Sequence, residues 1–169
     1  MIKRTLLGLA FILIAALLQS TILSRLVLYI YAVPDLALCI LVYIAYVNGT
    51  MTGQLTGFLS GFMVDFLSAA PLGLNAFVRT LIGAITGLFR GAFYLDSFLL
   101  PMALCAAATI FKTLVHYLLH LFFPGIVPFY SFFALTFWVE AGLNTILAPF
   151  VFGLLKLFSF LLSGQKGGT

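Results

Sequence analysis

Few residues in this sequence could do chemistry, and most of those are spaced as a helix spaces its side chains. Lys112, His116 and His120, in KTLVHYLLH, fall at i, i+4 and i+8 on one helical face. Two histidines four apart can hold a metal, but no third ligand is evident and no H-E-x-x-H pattern is present, so histidines that are hydrogen-bonded or lie at an interface are expected instead. Ser60, in FLSG, has no histidine at a matching position, and neither Asp35 nor Asp65 carries a second-acid motif. No P-loop, haem or metal signature appears. The expectation is a protein that is not an enzyme, with no cofactor. Cys39 and Cys105 are solitary in apolar runs and read as small buried apolar residues.

The elements that must position these groups are set by composition. Of 169 residues, 64% are hydrophobic and only 7% are charged, against roughly 25% charged in an ordinary soluble domain. Uncharged stretches such as Thr5 to Ser24, Leu36 to Val64 and Thr113 to Val139 each exceed the roughly 20 residues a helix needs to cross a bilayer. They are apolar on every side, which excludes the alternating pattern of a β-barrel. The expected class is an all-α, polytopic membrane protein forming one integral domain over 1–169. The N-terminal MIKRTLLGLAFILIAALLQS has the charge and apolar run of a secretory signal, but the run is long and no A-x-A-like site closes it, so it is read as the first span.

Helices are expected near 5–23, 35–48, 51–68, 74–90, 97–122 and 131–157, giving about six transmembrane helices. The division inside 36–64 rests on the turn signal Asn48-Gly49-Thr50 and on charge. With six spans Lys3, Arg4, Arg90, Lys156 and Lys166 all lie on the cytoplasmic side, with both termini, as the positive-inside rule requires. The formal charge of +4 is scattered over the chain and makes no nucleic-acid patch. Trp138 and the phenylalanines from Phe122 to Phe137 read as interface anchors and lipid-facing surface. Pro149 should interrupt the last helix, leaving a carbonyl that Asn144 or Thr145 could satisfy.

Glycines recur every four residues at Gly49, Gly53, Gly57 and Gly61, and the row ends on Asp65. A second row runs Arg79, Gly83, Gly87, Gly91, and Pro71 and Gly73 turn the chain between the two. Lipid is as apolar as leucine, so membrane helices associate through close packing that small residues permit. The two rows are expected to face each other in an antiparallel hairpin. Asp65 and Arg79 then fall at similar depth and should pair, because an intramembrane charge costs at least ~2.5 kcal/mol on insertion scales and normally finds a partner. Lys112 and Glu140, at matching depths on the last two helices, should pair likewise.

Three stretches carry a family resemblance: PDLAL at 34–38, TGFLSGFMVDFLSAAPLGLNAF at 56–77 and, more loosely, EAGLNTILAPFVF at 140–152. With Pro34, Asp35, Gly57, Phe58, Gly61, Asp65 and Gly73 in order, the chain resembles the MreD family of rod-shape-determining bacterial membrane proteins. The resemblance implies a non-catalytic scaffold of the cell-elongation complex in the cytoplasmic (inner) membrane. Its implied partner is MreC and, through it, MreB, RodA and a penicillin-binding transpeptidase, so that it helps organise peptidoglycan synthesis. It also implies a fold similar to the substrate-binding subunits of energy-coupling-factor transporters, and from that comes a rival function as a vitamin-binding subunit. For the rival, Asn75, Asp65, Arg79, Lys112 and His116 would line an outer cavity. The first helix, FILIAALLQSTIL, lacks the A-x-x-x-A coupling motif such a subunit should have.

Overall fold

The structure, a computed structural model, describes residues 10–14, 33–68, 71–92 and 98–157. Within these the chain is all-helical: a helical stretch over 10–14, then α1 (Leu36–Asn48), α2 (Thr50–Leu67), α3 (Leu74–Leu88), α4 (Leu99–Phe122) and α5 (Leu135–Leu157). Most of the expected first helix near 5–23, together with Lys3, Arg4 and Lys166, lies outside the described residues.

α1 is apolar all round, and such a helix is stable only where neighbours cover every face. It is the centre of the bundle. Every residue from Ala37 to Tyr46 is buried, and α2, α3, α4 and α5 all pack on it. At 13 residues it rises about 20 Å, less than the ~30 Å of a bilayer core. Its ends are set locally. Asp35 is the N-cap, its carboxylate accepting from the Leu38 N–H at 3.0 Å. At the other end Gly49 stands at φ 93°, a conformation that side chains resist, and so separates α1 from α2. The 36–64 stretch is two helices.

α2 and α3 form the most intimate pair in the molecule. Gly53 meets Gly83, Gly57 meets the backbone of Arg79 and Thr80, Gly61 meets Asn75 and Ala76, and Gly87 meets Thr50. A Cβ added at Gly57 would lie 2.8 Å from the Arg79 carbonyl carbon, and one at Gly87 would lie 2.5 Å from Thr50 Cα. These contacts are to backbone, which cannot swing aside. Two members of the expected rows do not belong to this contact. Gly91 follows the end of α3 at φ 75° with nothing within 4 Å of an added Cβ, and Gly49 is the helix break, facing the Arg90 side chain. The ridges stop where the helices stop.

α4 and α5 pair with each other, and both pack on α1. They are the two helices among the described residues long and apolar enough to cross a membrane. α5 begins at Leu135 rather than near 131, because residues 123–134 form a loop between the two helices. Pro149 does not interrupt α5, which runs through it to Leu157. Neither expected side chain serves the freed carbonyl. The Thr145 hydroxyl donates to Ala141 O at 2.7 Å, and Asn144 is engaged elsewhere.

Candidate functional site

The ionic residues gather toward one end of the bundle, around Asp35. α1 places the Asp35 carboxylate at its N-terminus, α3 brings Arg79 one turn and a half along from its own start, and α4 brings Lys112. Arg79 Nη2 donates to both carboxylate oxygens of Asp35, at 2.8 and 3.0 Å. Lys112 Nζ donates to Asp35 Oδ2 at 3.1 Å and also to Glu140 Oε1 of α5. Two cations and two carboxylates thus form a chain of ion pairs that is formally neutral and ties α1, α3, α4 and α5 together. Its members are largely withdrawn from the surface, with Arg79 and Asp35 only 4% and 6% exposed. Neutrality is the condition for that burial, since an uncompensated buried charge costs several kcal/mol.

A neutral polar chain extends the network inward. Asn144 Oδ1 accepts from the Asp35 backbone N–H at 2.7 Å, and its Nδ2 donates to Thr109 Oγ1 at 3.0 Å, whose hydroxyl donates in turn to Cys105 O. Asn144 and Thr109 are wholly buried, and a buried amide needs such partners. At the network's other edge Arg79 Nη1 is buried without a partner among the described residues, as is Thr56 Oγ1.

The expected Asp65–Arg79 pair does not form. Asp65 is instead the cap of α3: its carboxylate accepts from the backbone N–H groups of Gly73 (2.9 Å), Asn75 (3.0 Å) and Ala76 (3.2 Å), and from Asn75 Nδ2 (2.9 Å). The first N–H groups of a helix have no partner within it and carry the positive end of its dipole. Gly73 at φ 94° turns the chain so that these donors converge on Asp65, which satisfies it without Arg79 and leaves Arg79 to Asp35. Lys112 and Glu140, in contrast, do meet.

The histidines hold backbone. His116 Nδ1–H donates to Lys112 O at 2.8 Å, and His120 Nδ1–H donates to Val127 O at 2.6 Å, fastening the α4–α5 loop onto α4. Their rings also pack on that loop, His116 against Tyr130 and His120 against Phe129. Ser60 donates to Gly57 O at 3.0 Å within α2. Trp138 is exposed at the start of α5, edge-on to Phe137. Beside Glu140 the loop and the start of α5 border an open cavity of about 430 Å³ with Phe129, Tyr130, Thr136 and Phe137 in its lining. Asn75, Asp65, Arg79, Lys112 and His116, which the rival reading would place around an outer cavity, do not line this one.

The sequence offers no ion partner for Asp35 and does not mark Asn144 and Thr109 as its supports. One signal was available: an aspartate directly before an apolar run is an N-cap pattern. Nothing local marks its second role as the partner of Arg79 and Lys112.

This geometry defines a helical protein, two of whose helices among the described residues are long and apolar enough to cross a membrane, held together from within by a glycine seam and a buried ion chain. A family model described as rod shape-determining protein MreD matches residues 1–158, and the chain belongs to the MreD family. Its members are membrane proteins with a structural role in determining rod shape. Comparison with curated proteins and with solved structures finds no match. The vitamin-binding alternative gains no support from these comparisons.

Proposed function

We propose that this protein is a non-catalytic, multi-pass scaffold of the cell-elongation complex in the bacterial cytoplasmic membrane, binding MreC and helping organise peptidoglycan synthesis. MreB, RodA and a penicillin-binding transpeptidase are its indirect partners. The observation that carries the reading is the family match over residues 1–158. The disposition of charge supports it: Asp35, Arg79, Lys112 and Glu140 pair with one another, Asp65 caps α3, the seam glycines meet backbone, and these groups serve to hold a shape. The fold likeness to substrate-binding subunits of energy-coupling-factor transporters is part of the same proposal and concerns architecture alone.

In this reading six helices span the membrane as one domain over 1–169, with both termini cytoplasmic. Arg90 donates to Asn48 O at 3.3 Å at the end of α1 opposite Asp35. α5 runs parallel to α1, from Asn144 beside Asp35 to Phe152 against Tyr43, which carries Lys156 toward the Arg90 end. Exposed cations gathered on one side are what the positive-inside rule asks for.

The test is recovery from membranes. Affinity-tagged protein extracted in mild detergent should bring down MreC, and should still do so after Lys112→Met with Glu140→Met, which removes two ions without leaving a charge unpaired. Failure of the wild-type protein to recover MreC from cells that express both would overturn the reading.

A further inference from the structure

The cavity beside Glu140 is not accounted for by the internal contacts of the ion network or of the α2–α3 glycine seam. Glu140 is the one charged residue in its lining, and Tyr130, Ser131 and Thr136 bring hydroxyl-bearing side chains to the same walls. Two aromatic rings, Phe129 and Phe137, supply flat apolar surface. Glu140 accepts from Lys112 through Oε1, while its second oxygen makes no hydrogen bond to another described residue. At about 430 Å³ the space is of ligand size.

Charge selects what could enter. An anion would meet the Glu140 carboxylate. A cation would find that carboxylate already matched by Lys112, in a network that Arg79 and Asp35 bring to neutrality, and would add an unbalanced charge at a partly buried place. A neutral ligand rich in hydroxyl donors meets neither cost. Its hydroxyls would serve the open carboxylate oxygen and the side-chain hydroxyls, and its C–H faces would lie on Phe129 and Phe137.

We propose that this cavity binds a neutral saccharide ring, either as a free sugar or as the headgroup of a glycolipid. The inference is independent of the scaffold reading, and either can fail alone.

The chain holds one tryptophan, Trp138, whose ring centroid is 5.3 Å from that of Phe137 in the cavity wall. It is a built-in reporter. The full-length protein in phosphatidylcholine nanodiscs, free of sugar-based detergent, is titrated with methyl β-glucoside, and separately prepared in nanodiscs containing monoglucosyl diacylglycerol. A saturable change in Trp138 fluorescence is expected from at least one of the two, and which one responds identifies the source. Phe129→Ala should weaken that response about tenfold, equivalent to ~1.4 kcal/mol. Phe133→Ala, at a position that is 97% exposed and outside the cavity lining, should leave it unchanged. Thermal unfolding of each variant shows that it is folded, and Thr136→Val provides a second wall substitution if Phe129→Ala does not fold. A response to choline with none to either saccharide would overturn the ligand class. Silence to all three probes, from protein whose Trp138 still reports thermal unfolding, would overturn the site.

Discussion

The two helix pairs packed on α1 are built on opposite principles. α2 and α3 touch backbone to backbone along a row of glycines, so that Gly53, Gly57, Gly61, Gly83 and Gly87 have no room for a methyl group. α4 and α5 also carry glycine, yet Gly142 and Gly153 face open space. That pair is tied instead by Lys112 with Glu140 and by Asn144 with Thr109, and a loop and a cavity cap it. The contrast teaches that a small residue in a membrane-type helix marks a permitted approach. Whether the approach is taken depends on a second bare surface at the same depth.

The ion network is the most costly place to break. Asp35→Ala leaves Arg79 without its carboxylate partner and Lys112 with one partner of two, and should cost about 3–5 kcal/mol, read as a fall in thermal stability in detergent. Asp35→Leu combined with Arg79→Leu should recover much of that loss, because the remaining Lys112–Glu140 pair is neutral. If the double variant is as unstable as Asp35→Ala, the cost lies in the helix cap and not in the charge.

The glycine seam should be next. Gly57→Leu should cost about 1–3 kcal/mol or more, since the backbone it meets cannot yield without separating the helices. A cysteine cross-link between α2 and α3 that forms at the same rate before and after the change would contradict the seam.

Asp65→Asn keeps one acceptor oxygen and removes the charge facing the α3 N-terminus, at about 0.5–2 kcal/mol. In a double-mutant cycle Asp65 and Arg79 should add within about 0.5 kcal/mol, whereas Asp35 and Arg79 should be coupled by more than that. A strong Asp65–Arg79 coupling would restore the simpler pairing. The smallest effect is expected at Gly142→Leu, within about 0.5 kcal/mol; a loss comparable to that at Gly57 would mean a hidden contact on α5.

The parts that were legible follow from local periodicity. Glycines four apart lie on one face of a helix whatever surrounds it, and Pro71 with Gly73 had to turn the chain between the two rows. The facing seam is therefore readable, apart from its ends, where Gly49 and Gly91 belong to the helix break and the turn. The pairing of charges was only half legible. Lys112 and Glu140 sit on consecutive helices 28 residues apart, so depth alone brings them together. Asp35 lies 44 residues from Arg79 and 77 from Lys112, and no spacing relates them. Asp65 and Arg79 share a depth but not a contact, because the unpaired N–H groups at the α3 start are nearer claimants on the Asp65 carboxylate.

By itself the sequence determines that this chain is helical, suited to a lipid surround, and able to bring two helices to backbone contact, because composition and the helical repeat act over a few residues and need no partner. Only the tertiary structure decides that the most apolar helix, α1, is the buried centre, that Asp35 is the common partner of two cations, and that a cavity opens beside Glu140. Each of these depends on which elements become neighbours, and burial and Coulomb energy are properties of that neighbourhood rather than of any one segment.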